Sequence, residues 1–220
     1  MRIDHLVAHL ARAAATAALC CLLPSPWTVL PALAFFLAGF TFAHDLAHGA
    51  LRLPARVNHA LLSLAGAMML TSGHAMRVAH LRHHAAPLAD DDFEGAAVRV
   101  SFVRALVYAP YYAFAVRRAA WRRAPRRDRR VQLVEHVASL LLLLVVGRTY
   151  AVTALLLQLA APVWAGRIPH TAPRWMITVA RGLAWTRSPT ALSLAFHDQH
   201  HAHPAVPTLA LATLDRPSCS

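Results

Sequence analysis

Residues 27–49 read WTVLPALAFFLAGFTFAHDLAHG, an apolar run that passes directly into two histidines, His44 and His48. No charged side chain interrupts residues 27–43, and about 17 apolar residues are the shortest helix that crosses the hydrocarbon of a bilayer. An imidazole beside such a run needs a hydrogen bond or a metal to offset the loss of water. The stretch therefore predicts a transmembrane helix that ends at a polar site.

The composition of the whole chain agrees with a membrane location. Hydrophobic residues make up 57% of the 220 residues, against about 45–50% in soluble domains. The net charge is +12, every basic residue is arginine, and eight arginines lie between Arg117 and Arg130. Basic residues concentrated between apolar segments are typical of a cytoplasmic loop, so we expect a membrane partner and no nucleic acid.

Four segments are long and apolar enough to cross a bilayer. Pro24 and Pro26 predict a tight connection within the first pair, and Gly147-Arg148-Thr149 predicts one within the second. We therefore predict two helical hairpins, formed by residues 6–23, 27–43, 131–147 and 149–166.

Two further apolar segments are weaker. Residues 57–73 contain Asn58, His59 and small side chains, and residues 101–116 are amphipathic and interrupted by Pro110. If residue 44 and the arginine run both lie in the cytoplasm, an even number of crossings separates them. Residues 57–73 are then re-entrant or interfacial, and residues 101–116 form an interfacial helix.

The ends of the chain add little to this topology. Leu19 stands before Cys20, where a lipoprotein-type cleavage needs a small residue, so we expect a retained first helix rather than a signal peptide. Cys20, Cys21 and Cys219 predict no disulfide framework. We expect one domain over residues 1–220.

Three short clusters contain eight of the fifteen histidines. Within each cluster the spacing is three or four residues, which places the imidazoles on one face of a helix. By the topology above, all three lie on the same side of the membrane. They are HDLAH (His44, His48), HLRHH (His80, His83, His84) and HDQHH (His197, His200, His201).

Eight imidazoles on one membrane side indicate metal binding. A structural zinc ion is satisfied by four ligands, and imidazole-rich sites suit iron, copper, zinc or nickel. Two metal ions would account for the number of ligands.

The order of the clusters resembles that of the membrane fatty acid desaturase/hydroxylase superfamily, which includes carotenoid ketolases and hydroxylases. HDLAHG (44–49), DDDFEG (90–95), GRIPH (166–170) and HHAHPAVP (200–207) are similar to elements of its members. The resemblance covers about residues 27–210. One departure is the first cluster, which has three intervening residues where acyl-CoA-type desaturases tend to have four.

The resemblance implies a non-haem centre of two iron ions that uses O2 and two electrons to attack a C–H bond. It implies an all-α integral membrane fold with a cytoplasmic, histidine-rich cap. His170 occupies the place of a ninth ligand, with His136 as the alternative. The implied metal ligands are His44, His48, His80, His83, His84, His170, His197, His200 and His201.

Several acidic residues are candidates to orient these ligands. Asp45 and Asp198 each follow the first histidine of a cluster, where a carboxylate either accepts the other ring N–H or caps a helix. Asp92, with Asp90, Asp91 and Glu94, either does the same, lies in a solvated loop or docks a basic partner.

The remaining histidines have structural interpretations. His5 and His9 are expected to reach towards the membrane interface, and His59 and His74 to bond loop backbone. His136 is expected to pair with Glu135 or face the headgroups. His203 lies off the shared helical face.

The resemblance favours an enzyme that desaturates or hydroxylates a fatty acyl chain taken from the bilayer, with electrons from a separate, ferredoxin-like protein. The arginine run either sets topology or receives that donor. A carotenoid ketolase or hydroxylase is the alternative, favoured by GRIPH and DDDFEG. A non-catalytic metal-binding membrane protein remains open, whereas a metal transporter would place histidines within the spans. We expect a bacterial inner membrane, with the histidine clusters cytoplasmic.

Overall fold

A computed structural model describes residues 2–214, and every regular element in that range is helical, as predicted. One π-helical segment, Pro162–Arg167, joins α8 to α9, and short 3₁₀ turns cover Gly95–Arg99, Ala184–Thr186 and Thr208–Thr213. The α-helices are α1 Ile3–Leu22, α2 Val29–Ala47, α3 Ala55–Met68, α4 Gly73–Ala85, α5 Phe102–Val107, α6 Ala109–Arg123, α7 Arg126–Leu143, α8 Arg148–Ala161, α9 Ile168–Thr171, α10 Arg174–Gly182, α11 Pro189–Ala195 and α12 His197–Ala202.

Three helical stretches are long and apolar enough to cross a membrane, as expected of an integral membrane protein. They are α1, α2 and the continuous stretch Arg148–Thr171, which coincide with three of the predicted spans. The fourth predicted span, 131–147, lies mostly in α7. That helix begins with four arginines in its first five residues and ends at Leu143, so its apolar part is shorter than a full span. A crossing there stays a prediction.

Helix α2 lies at the centre of the fold, packed against α1, α3, α4 and α8. Its side chains Phe36, Phe42 and Leu46 are buried against Leu62 of α3 and Met69 of the next turn. The histidines at its C-terminal end are therefore held by the largest apolar cluster among the described residues.

Residues 57–73 form most of one helix and a turn, after which the chain reverses direction. Helix α3 ends at Met68, Leu70 adopts a left-handed backbone with φ 56°, and α4 begins at Gly73. A Cβ at Gly73 would lie 2.1 Å from the carbonyl oxygen of Leu62, so only glycine permits this approach of α4 to α3.

The segment 101–116 forms two helices rather than one. α5 ends at Val107 and α6 begins at Ala109, with Pro110 in its first turn. Proline lacks the N–H that a helix interior requires but is tolerated in the first turn, which explains the break.

The last part of the chain folds back over the end of α2. Leu192 and Phe196, in and just after α11, pack against Leu209 and Leu211. Helix α11 contacts both α2 and α12, and this packing brings the third histidine cluster to the first.

Candidate metal centre

Nine imidazoles meet at the C-terminal end of α2. They come from α2 and its last turn, from α4, from α9 and from α12. Ring centroids of His44 and His200 lie 4.3 Å apart, and those of His170 and His197 lie 4.4 Å apart. All nine predicted ligands are brought together: His44, His48, His80, His83, His84, His170, His197, His200 and His201.

The ring nitrogens form two adjacent groups. One group contains His44, His48, His80 and His200, and the other contains His83, His170 and His201; within each group the candidate ligand atoms all lie within 4.8 Å of one another. The remaining two rings border these groups. The Nε2 atom of His84 lies 3.0 Å from that of His200, and the Nε2 atom of His197 lies 3.2 Å from that of His170.

Nitrogen–nitrogen distances near 3 Å have two physical explanations. They fit an N–H···N hydrogen bond, and they also fit two ligands that share one ion at bond lengths of about 2.1 Å. Five ring nitrogens in the cluster are buried and have no hydrogen-bond partner among the described residues, and the three Nε2 atoms among them favour the second explanation. Buried polar atoms without partners are rare and costly. They are Nδ1 of His44, Nε2 of His48, Nε2 of His80, Nδ1 of His200 and Nε2 of His201.

Burial keeps most of these imidazoles neutral. Desolvation, followed by the charge of neighbouring histidines, lowers the pKa of His48, His84 and His197 to about 2 and that of His201 to about 4. A neutral imidazole offers the lone pair that a metal ion requires. His83 differs: burial is the largest influence and lowers its pKa, but the hydrogen bond that His83 donates to Asp92, together with the negative charges of Glu94 and Asp92, raises the pKa overall.

Two carboxylates from the loop after α4 orient the α4 ligands. Asp92 Oδ2 accepts from Nδ1 of His83, and Glu94 Oε1 accepts from Nδ1 of His80, both at 2.7 Å. Asp92 also accepts from the backbone N–H groups of Leu88 and Gly95. Because Nδ1 of each ring is occupied, Nε2 is the atom left for the cluster.

The model of the fatty acid desaturase family matches residues 22–218, which include all nine histidines. The chain belongs to the fatty acid desaturase family. Members of this family are membrane oxidoreductases that generally use a diiron centre, and the histidine groups of this chain are compatible with one. No curated protein and no solved structure matches the chain.

In this desaturase family member Asp45 has a different role from Asp92. Its carboxylate accepts from His9 Nε2 at 3.0 Å and from the hydroxyl of Thr208 at 2.6 Å, whereas Nδ1 of His44 is 3.6 Å away. Asp45 thus joins α1 and α2 to the segment after the third histidine cluster. The expectation that His9 reaches the interface is wrong: the residue is 2% exposed and stacks on Phe42, because a buried carboxylate needs hydrogen-bond donors.

The other acidic candidates divide between the cluster and the surface. Asp198 is exposed, and within residues 2–214 no hydrogen bond joins it to a histidine. Asp91 is exposed and pairs with Arg82 and Arg123. The DDDFEG stretch therefore supplies both a surface ion pair and, through Asp92 and Glu94, support for the cluster. Sequence reasoning named Glu94 only as one of several alternatives.

A second polar network lies outside the nine-histidine cluster. His59 Nδ1 lies 2.9 Å from Nε2 of His74, and His74 Nδ1 donates to Glu135 at 2.7 Å. Glu135 also accepts from the hydroxyls of Ser63 and Ser72. The expectation of backbone partners for His59 and His74 is therefore wrong, because a buried glutamate on α7 faces them.

The remaining sequence candidates lie apart from the cluster. His136 bonds the carbonyl of Gln132 one turn back in α7, and not Glu135 or a metal group. His203 is exposed. Cys20 and Cys21 are free, and Cys219 lies outside the described residues.

An apolar cavity lies beside the cluster of this family member. The cavity is open on one side, and its volume is about 780 Å³ when the space at the opening is included. Its walls include Phe36, Phe40, Met76 and Trp164. Glu94, which holds His80, also lines it. A chain in this cavity would therefore lie next to the two histidine groups.

Proposed function

We propose that the chain is an O2-dependent oxidoreductase that desaturates or hydroxylates a fatty acyl chain at a centre of two iron ions. The observation that carries this proposal is the pair of histidine groups, with unpartnered buried nitrogens, at the wall of an apolar cavity. Membership of the desaturase family supports the same chemistry.

The nine histidines would hold the two iron ions. His44, His48, His80 and His200, with His84 beside them, would hold one ion; His83, His170 and His201, with His197 beside them, would hold the other. When bound, the iron centre supplies the two-electron oxidation of an unactivated C–H bond with O2.

The protein contributes position and the exclusion of water. Asp92 and Glu94 fix the rings of His83 and His80, so that the ligand atoms need little reorganisation. Phe40 and Trp164 form part of the cavity wall, with an edge-to-face contact in which their ring centroids lie 4.7 Å apart. They would keep a bound chain in an apolar environment. A chain held in one place beside the oxidant reacts at one C–H bond in preference to others.

We infer that substrate comes from the bilayer and that the histidine clusters lie on the cytoplasmic side of a bacterial inner membrane. Electrons would come from a separate protein such as a ferredoxin. The exposed arginines at the start of α7, Arg126 and Arg127, provide positive charge that suits an acidic donor.

Expression in hosts with and without carotenoids, followed by mass spectrometry of lipids and pigments, tests this function. We expect new double bonds or hydroxyl groups in acyl chains, and about two iron ions per purified chain. Unchanged acyl chains and carotenoids, with iron bound and a reductant supplied, would contradict the proposed oxidoreductase activity. Oxidised carotenoids with unchanged acyl chains would mean that the substrate is a carotenoid and not an acyl chain.

A further inference from the structure

The wall of the apolar cavity contains a guanidinium group, and no carboxylate within residues 2–214 neutralises it. Arg117 on α6 is part-buried; its Nη1 donates to the carbonyl of Ala113 at 2.9 Å, and its Nη2 donates to Oε1 of Gln158. Both acceptors are neutral. Across residues 2–214 no carboxylate lies within ion-pair distance of Arg117, although two other arginines share Asp91.

This arrangement leaves a charge without a counter-ion in apolar surroundings. Burial lowers the pKa of Arg117 from its ordinary value. A partly desolvated cation without an anion is unfavourable, and an anion that enters the same site offsets the penalty.

Gln158 holds the guanidinium in one orientation. Its Nε2 donates to the carbonyls of Met69 and Leu70, at 2.8 Å and 3.0 Å. The amide is thereby fixed with Oε1 towards Arg117. Leu70 has a left-handed backbone, an uncommon conformation for leucine, and its carbonyl is one of the two acceptors. The turn between α3 and α4 thus supports the position of a residue on α6.

The guanidinium retains donors for a ligand. Arginine has five N–H donors, and the two hydrogen bonds to Ala113 and Gln158 use two of them. The three that remain suffice for a two-point interaction with the oxygens of a carboxylate.

Two other polar side chains of the cavity wall, Ser72 and Glu94, are already engaged. The hydroxyl of Ser72 donates to Glu135 and accepts from the N–H of Ala75. Glu94 accepts from His80. Among the described residues that line the cavity, Arg117 is the one cation. The cavity therefore combines apolar walls with a single preorganised site for an anion.

We propose that Arg117, held by Gln158, binds the carboxylate of an unesterified fatty acid whose chain occupies the apolar cavity beside the histidine cluster. Arg117 is then a residue that determines specificity, because an acyl ester and a hydrocarbon carotenoid lack this carboxylate. Binding of the acid does not depend on the proposed function, whereas its oxidation at the histidine cluster rests on that function. A phospholipid phosphate is the other source of an oxyanion at this depth, and the experiment separates the two.

Binding of radiolabelled palmitate and methyl palmitate to the purified full-length protein in detergent tests the proposal. We expect palmitate to bind about 10- to 100-fold more tightly than its ester, the range typical of charge-assisted hydrogen bonds. Arg117→Gln should abolish this preference. The matched control is Arg118→Gln, an exposed arginine on the same helix, which should retain it.

Three results would overturn the proposal. They are equal affinity of the unaltered chain for acid and ester, a preference that survives Arg117→Gln, and displacement by phosphatidylglycerol at lower concentrations than by palmitate. The first and third need no variant, so they apply even if Arg117→Gln does not fold. Iron content and lipid oxidation, measured on the same preparations, report on the proposed function separately: an iron-loaded, active protein without acid preference would contradict only the inference about Arg117.

Discussion

The protein contains two histidine networks that differ in how their polar atoms are satisfied. In the nine-histidine cluster, five ring nitrogens are buried without a hydrogen-bond partner among the described residues. In the network of His59, His74 and Glu135, both nitrogens of His74 and both carboxylate oxygens have partners. The two networks therefore differ in whether their ring nitrogens are satisfied, and the unsatisfied nitrogens are what makes the first network the candidate for a metal.

The largest effect is expected from removing a ligand. His200→Ala should lower the iron content by about one ion per chain and abolish lipid oxidation, because a metal ligand is lost from the first group. Elemental analysis of the purified protein and mass spectrometry of lipids measure both. The matched control is His203→Ala, an exposed histidine three residues later, which should leave both values unchanged. Full iron content in His200→Ala would mean that His200 is not an iron ligand.

Removal of iron should destabilise the folded chain. Ions that bind only the native state stabilise it, by about 4 kcal/mol at a thousandfold excess over Kd. Treatment with a chelator should therefore lower the thermal unfolding temperature in detergent, and iron should restore it. If the unfolding temperature does not respond to iron, the histidine cluster is not a metal site.

Disruption of the network of His59, His74 and Glu135 should lower stability without changing the iron content. Glu135→Ala leaves His74, Ser63 and Ser72 without their shared acceptor, which we expect to cost about 3 kcal/mol of unfolding free energy. Iron bound per folded chain should not change. Unfolding in detergent and elemental analysis test the two expectations, with Asp198→Ala as an exposed control. Loss of iron without loss of stability would reverse the distinction between the networks.

A smaller effect is expected from the carboxylate that supports the cluster. Asp92→Asn weakens the hydrogen bond to Nδ1 of His83, and loss of such a partner typically lowers metal affinity by about 10- to 100-fold. Competition with a chelator of known affinity measures the change. Asp91→Asn alters the adjacent, exposed aspartate and should leave iron affinity as it is. Equal effects in the two variants would mean that the acidic loop acts only through its overall charge.

Local patterns in the sequence account for a large part of the fold and of the cluster. The apolar run before His44 predicts α2, and spacings of three and four residues place the histidines of α4 and α12 on common faces. His170 was named through the resemblance, and it lies with His83 and His201. The assignment of Asp92 and Asp91 to different environments was beyond sequence reasoning, because adjacent acidic residues in a loop have no periodicity that separates them.

The sequence by itself determined the helical class, the positions of three apolar helices, the family and the nine histidines that meet. These depend on run length, helical spacing and residue chemistry within short segments. Only the tertiary structure decided that Asp45 binds His9 and Thr208, that Glu135 joins α7 to His74, and that Gln158 holds Arg117. These partners are 36 to 163 residues apart. A buried polar group must find a partner, but which one it finds depends on the packing of the helices that carry them.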